Sequence, residues 1–274
     1  MSEALVLGGG GVAGIAWTVG LLTGLAEAGN DVTGADLVVG TSAGATVAAQ
    51  LGSGLGLAGL YARQAEPGLQ TEELQAELDL EKFGALLERN VGGPELRRAV
   101  GRFALESPTV PQERRRAVIA ARLPSHEWPS RALKIVAVEA ETGEATVFGN
   151  ASGVPLVDAV AASGAVPGVW PPVTIGAHRY VDGGVRSGEN ADYAIGFDRV
   201  LVIAPMGETE QPFAERPLPE VTDQLRASGA KVAIIGPDAA SLEAIGPNVL
   251  DPATRTPAAE AGRTQGRSWS ITWK

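Results

Sequence analysis

The chain has 274 residues, with 22 Lys and Arg against 32 Asp and Glu and a formal net charge of −10. That balance argues against nucleic acid as a partner and against electrostatic docking on anionic lipid; neutral esters, and transient membrane contact through an apolar patch, stay open. The lack of Cys excludes disulfides and thiolate nucleophiles, and with only His126 and His178 a Cys- or His-built metal site is not expected.

In chain order, Ala4–Gly8 (ALVLG) reads as a short buried strand. After a glycine run, Ile15, Val19, Leu22 and Ala26 recur at helical spacing, and Gly29 closes that helix. ADLVVG (35–40) is a second apolar strand, and TSAGATVAAQLGSG turns directly into another helix. Strand, helix, strand, helix implies a parallel sheet covered on both faces. Residues 4–26 and 37–62 are uncharged for long enough to span a bilayer. Their glycines, and the absence of a basic leading region, favour two strand–turn–helix units instead. The expectation is a soluble, cytoplasmic protein with no transmembrane segment.

From about 61 to 129 charges become frequent. The stretches 71–90 (TEELQAELDLEKFGALLERN) and 94–106 (PELRRAVGRFALE) have amphipathic helical patterns. This helical insertion lies beside the sheet, either as a wall or lid or as ordinary packing helices. The densest basic cluster, Glu113–Val118 (ERRRAV), reads as a solvated helix face. Residues 132–149 form a hairpin turning at Thr142–Glu144. Strands are expected at 178–184, 198–205 and 230–237, and helices at 155–163, 190–196, 220–228 and 239–245. The linker-like stretch 207–219 is too short to divide domains. The tail GRSWSITWK reads as an exposed or lightly packed end, with Trp269 and Trp273 as packing residues. The expected architecture is a three-layer α/β/α fold with a mostly parallel central sheet. It is read as one domain over 1–274, with a core at about 4–205 and an extension at 206–274.

Two motifs carry chemistry. In GGGGVAG, Gly9, Gly11 and Gly14 fit the G-x-G-x-x-G spacing that seats a dinucleotide pyrophosphate. The same backbone amides suit the oxyanion of an acyl-transfer intermediate. VVGTSAGAT contains G-x-S-x-G, with Gly40, Ser42 and Gly44 between a strand and a helix, the context of a nucleophile elbow. A dinucleotide site needs an acidic residue at the end of the second strand. Asp36 begins that strand, Asp31 precedes it, and its end is Gly40 beside Ser42. The glycine run therefore works better as an oxyanion cradle.

A serine nucleophile needs a base. No His follows residue 178, so the Ser–acid–His order with Asp182 as the acid is closed. His178 with Asp158 stays formally open. On one strand His178 and Asp182 would lie about 13 Å apart, at roughly 3.3 Å per residue, and both His read as surface or turn residues. Asp182 ends a strand and precedes Gly183 and Gly184, which let backbone approach closely and aim the carboxylate. A carboxylate within hydrogen-bond reach can take the serine proton directly. Asn190 reads as a helix N-cap assisted by Asp192, and Trp170 either lines an acyl pocket or packs.

The glycine run, the G-x-S-x-G and the D-G-G in this order, with Ala162–Ile175 (ASGAVPGVWPPVTI) before the last, resemble the patatin-like phospholipase family over about Leu5 to Pro205. The resemblance implies a Ser–Asp hydrolase of lipid or small esters that needs no cofactor or metal. Ser42 would be the nucleophile and Asp182 the base, with Gly9, Gly10 and Gly11, joined by Ala43, supplying oxyanion amides. The family's glycine motif often has Arg or Lys before its last glycine; here that position is Ala13, so the backbone donors survive and a nearby positive charge is lost. A dinucleotide-binding oxidoreductase and a catalytically silent binding protein on the same fold are the alternatives.

Overall fold

The computed structural model describes residues 1–76, 84, 93–207 and 216–273. The first half runs β1 (Glu3–Leu7), α1 (Gly11–Glu27), β2 (Leu37–Thr41), α2 (Ala43–Leu51), α3 (Leu57–Ala65), α4 (Gly93–Glu106), α5 (Gln112–Arg122), β3 (Ala132–Glu139) and β4 (Ala145–Gly149). The second half runs α6 (Leu156–Ser163), β5 (Val173–Ile175), β6 (His178–Asp182), β7 (Arg199–Ile203), α7 (Leu218–Ala227), β8 (Lys231–Ile235), α8 (Ala239–Ile245) and α9 (Arg255–Ser268).

The strands form one mixed sheet connected β5-β6-β3-β2-β1-β7-β8, with β4 also paired to β3. β3, β2, β1, β7 and β8 are parallel, and β4, β5 and β6 join antiparallel. Alternation along β1 divides the core: Leu5 and Leu7 face α1, α2, α6 and α9, while Ala4 and Val6 face α7 and the turn at Ala191–Ala194. This is the expected three-layer α/β/α arrangement. No described helix is long and apolar enough to cross a membrane.

α1 is buried from Val12 to Leu25 and carries no charge until Glu27, as befits a helix enclosed on nearly all sides. It ends in a Schellman-type turn, with Gly29 at φ 83° and the Asn30 amide donating to the Leu25 carbonyl at 2.8 Å. Its closest neighbour is α9, an element missed in the sequence. A Cβ on Gly20, Gly24, Gly262 or Gly266 would fall within 2.1–2.3 Å of a carbonyl oxygen on the facing helix. The tail read as exposed or lightly packed, 266–274, overlaps this helix at Gly266–Ser268, where Gly266 packs tightly on α1.

Two further expectations change. Residues 190–196 form a short 3-10 turn, Ala191–Ala194, in place of a helix. Of the amphipathic stretch 71–90, residues 71–76 have no regular structure and the rest, Gly84 apart, lies outside the described residues. α4 occupies its expected place and packs Leu96, Val100 and Ala104 on Val138 and Val181.

Candidate active site

Strand register explains why Ser42 meets Asp182. β4 pairs with β3 over Lys134–Val138, overlapping the stretches used by both β2 and β6. A strand has two edges, so β2 and β6 must share the other edge of β3 and approach each other end to end. β2 finishes with Thr41 opposite Val136, and β6 finishes with Asp182 opposite Ala137, one step further on. The first residue past β2 therefore faces the last residue of β6. Ser42 Oγ donates to Asp182 Oδ2 at 2.7 Å.

The elbow has the backbone such a turn demands. Ser42 has φ 54° and ψ −113°, a conformation costly for a residue with a Cβ, by about 1–3 kcal/mol. Its flanking glycines are sterically required: a Cβ on Gly40 would sit 2.6 Å from Ala45 Cα, and one on Gly44 1.9 Å from the Leu7 carbonyl oxygen. Gly44 N–H donates to the Gly8 carbonyl at 3.0 Å, tying the elbow to the glycine run. Ser163 Oγ accepts from Ser42 N–H at 2.9 Å and donates to the Val136 carbonyl at 2.6 Å. It fixes the elbow to β3.

On the carboxylate side, a Cβ on Gly183 would collide with the Val136 carbonyl oxygen at 2.3 Å, so only glycine lets the chain pass there. Gly184 N–H donates to Asp182 Oδ1 at 2.7 Å. One carboxylate oxygen is thus held by backbone and the other faces Ser42. Burial pushes the Asp182 carboxyl up to about 6, against the lowering effects of the Ser42 and Gly184 hydrogen bonds. A group so poised is largely ionised at neutral pH yet basic enough to accept a proton.

Asn190 does not fill the N-cap role expected of it. It makes no side-chain cap bond and sits in the left-handed region at φ 53°, wholly buried. Its Nδ2 lies 3.1 Å from Thr41 Oγ1, 3.2 Å from the Gly183 carbonyl and 2.8 Å from the Ser187 carbonyl. Arg186 Nη1 donates to its Oδ1 at 2.7 Å. One side chain therefore links the residue before Ser42 to the residue after Asp182. Beside it, burial pushes the Glu189 carboxyl up to about 7.

The glycine run needs one correction. Gly9 N–H donates to the Gly188 carbonyl at 2.8 Å and is engaged, so it is not a free oxyanion donor. Gly10, Gly11 and Ala43 amides have no partner among the described residues. Gly11 and Ala43, the first residues of α1 and α2, line a cleft of about 360 Å³, counting solvent-continuous space, together with Ser42. Its apolar wall comes from Ile119, Val160, Val166, Trp170 and Leu250. α5, from the helical insertion, is thus a wall of this cleft, and it also contributes Arg115 and Arg122. The ERRRAV cluster is therefore not uniformly solvated, because its middle arginine points inward.

Neither His approaches Ser42's partner. His178 is exposed and bonds Glu139 Oε1 at 2.7 Å, an interaction that holds the Glu139 carboxyl below its usual range. Asp158 is taken by Arg116, which closes the His178–Asp158 option. His126 Nε2 contacts the Ala120 carbonyl at 3.0 Å. Asp36 accepts from Glu3 N–H at the start of the sheet, away from the glycine run at the strands' other end. Among the described residues, no group of three or more His, Cys, Asp or Glu could hold a metal ion.

Fold and motif order together define a three-layer α/β/α protein with its candidate site at the carboxyl end of the parallel strands. The patatin-like phospholipase family model matches residues 5–195, and the chain belongs to that family. Among solved structures it is similar to VipD from Legionella pneumophila, at 12% identity and TM-score 0.46, covering 97% of this chain and 65% of that one. It is also similar to the type III effector protein ExoU, at 15% identity and TM-score 0.41, covering 97% and 52%. The chain spans less than two-thirds of the length of either. Comparison with curated proteins gives no match.

Proposed function

We propose that this chain is a lipid acyl-ester hydrolase in which Ser42 is the nucleophile and Asp182 the base. The observation that carries the reading is the 2.7 Å hydrogen bond between Ser42 Oγ and a buried carboxylate whose other oxygen is fixed by Gly184. Asp182 accepts the hydroxyl proton as Oγ attacks the ester carbonyl carbon. Negative charge then gathers on the carbonyl oxygen, where the free amides of Gly10, Gly11 and Ala43 are the candidate donors. The helix termini behind Gly11 and Ala43 favour that charge. As the tetrahedral adduct collapses, the C–O bond to the alcohol breaks and Asp182 returns the proton to the leaving oxygen. Water, deprotonated by Asp182, cleaves the acyl-enzyme and restores the Ser42 hydroxyl. The apolar wall of the cleft is the natural seat for the acyl chain.

Fluorophosphonate labelling of the purified protein, read by intact mass, tests this reading. A single adduct on the wild type that is lost in Ser42→Ala is the expected result. No adduct on a folded wild type would reject an activated Ser42 and favour a silent binding protein.

A further inference from the structure

The three consecutive arginines of α5 meet different fates. Arg114 is exposed, and Arg116 pairs with Asp158 at the surface. Arg115 turns inward, 6% exposed, with its guanidinium carbon 3.8 Å from the centroid of the Trp170 ring. Its nearest carboxylate oxygen, Glu73 Oε2, lies 3.9 Å from Nη1, beyond hydrogen-bond range. Glu73 is already occupied by Arg122, whose Nε and Nη2 donate to it at 2.7 and 2.6 Å.

Arg255, also buried nearby, sends its donors to the Gln64 side chain and to the Thr71 and Arg63 carbonyls. Of these three guanidinium groups, Arg122 alone donates to a carboxylate among the described residues. Arg115 is the one left over: it donates no side-chain hydrogen bond among the described residues, and its buried Nη1 has no hydrogen-bond partner. Desolvation, aided by Arg122, pushes its guanidinium down to about 9 against the pull of Glu73, so it stays charged at neutral pH. A buried cation lacking a hydrogen-bonded counterion is costly and suits a ligand that supplies one. Arg115 and Trp170 line the same cleft as Ser42, Gly11 and Ala43.

We infer that Arg115, its guanidinium carbon over the Trp170 ring, is a specificity-determining residue of the Ser42 cleft that recognises an anionic oxygen-bearing group, such as a phosphate, on the acyl ester. The inference rests on the hydrolase reading for the word substrate, and on the unpartnered guanidinium for the anion. The contact with Trp170 limits the freedom of the guanidinium, and a guanidinium donates in a fork that matches two oxygens of one anion. Glu73 holds Arg122 back from the same task.

Binding is measured on Ser42→Ala protein by calorimetric titration with octyl phosphate, neutral octyl glucoside and inorganic phosphate, all below micelle-forming concentrations. Octyl phosphate is expected to bind about 10- to 100-fold tighter than octyl glucoside, the range of a charge-assisted hydrogen bond. Adding Arg115→Met should remove most of that preference, with the thermal midpoint recorded as a fold control. Arg115→Lys keeps a cation without the fork, should retain an intermediate preference, and serves if the Met variant does not fold. An unaltered preference in either variant overturns the inference. Inorganic phosphate binding as tightly as octyl phosphate also overturns it, by showing a free-anion site with no role in choosing esters. If Ser42 is labelled by fluorophosphonate but octyl phosphate gains nothing from Arg115, the subsite alone falls. If octyl phosphate binds through Arg115 but Ser42 is never labelled, the hydrolase reading alone falls.

Discussion

Replacing Asp182 by Asn separates what the carboxylate does for chemistry from what it costs the fold. The side chain keeps its shape: Oδ1 can still accept from Gly184 N–H, and the new amide can donate to Ser42 Oγ, so both native contacts survive in altered form. In the wild type the carboxyl rises from 3.8 to about 6 on folding. A difference of about 2 units at 1.36 kcal/mol each is ~3 kcal/mol. The folded state binds the proton more tightly than the unfolded chain, so stability is highest below about pH 4 and falls as pH rises through 6. Asn carries no such charge. The variant should match the wild type near pH 4 and exceed it at pH 8 by up to about 3 kcal/mol, a rise of roughly 6 °C in thermal midpoint for a chain of this size. Over the same range hydrolysis of a short p-nitrophenyl ester should drop by about 10²–10⁴ through loss of the base. Melting curves at both pH values and kcat/KM at pH 8 are the assays. A stability difference that ignores pH would refute the desolvated-carboxylate argument, and a rate loss below about tenfold would refute the base.

The wild-type pH profile should show kcat/KM falling on the acid side with an apparent pKa near 6, as Asp182 is protonated; a plateau down to pH 4.5 would contradict it. Gly44→Ala forces a Cβ to within 1.9 Å of the Leu7 carbonyl oxygen and should leave little soluble protein, or a midpoint at least about 10 °C lower by circular dichroism. Asn190→Ala removes the link between Thr41 and Gly183 and takes one acceptor from the Arg186 guanidinium. A loss of about 2–4 kcal/mol is expected in urea unfolding, with kcat falling about tenfold and KM little changed. Gly20→Ala pushes into the Ala259 carbonyl at 2.1 Å and should cost about 1–3 kcal/mol or more, read as a lower thermal midpoint.

The parts of the site that were legible in the sequence are those where local sterics dictate residue type. Gly40-x-Ser42-x-Gly44 announces a turn that only flanking glycines permit, and Asp182-Gly183-Gly184 announces a close backbone passage. What escaped depends on contacts far apart in the chain. Asn190 reads as a cap because caps are local; the partner that ties it to the elbow, Thr41, lies 149 residues away. Gly9 looks equivalent to Gly10 and Gly11 until Gly188 arrives to take its amide. Three adjacent arginines hide helical phase, since successive residues of a helix point about 100° apart and the composition does not say which one turns inward. β5 has three residues directly after two prolines, too short for a periodicity. α9 is polar and glycine-containing, so it lacks a strong apolar stripe. Its signal was present all the same, in the four-residue spacing of Gly20 and Gly24 matched by Gly262 and Gly266.

The destabilising features of this chain lie close together. Ser42 holds a positive φ, Asp182 and Glu189 are carboxyls raised by burial, and Arg115 is a buried cation with no hydrogen-bonded counterion among the described residues. Each would be selected against by stability alone. Their cost must be offset by structure that does no chemistry, and α1 with α9 is the clearest source. There backbone-to-backbone approach through four glycines encloses a fully buried Trp17, whose indole N–H reaches Gln265 Oε1 at 3.2 Å. α1 begins at Gly11, in the glycine run, so the helix clamped by α9 is also the one that presents a free amide to the Ser42 cleft. Loosening the α1–α9 contact should therefore move the oxyanion side of the site before it moves Ser42 and Asp182, which β3 holds by register. A Gly20→Ala protein would then lose rate on esters while the acid-side pKa of its kcat/KM profile stays near 6, and a displaced pKa would show that the two halves of the site are not mechanically separate.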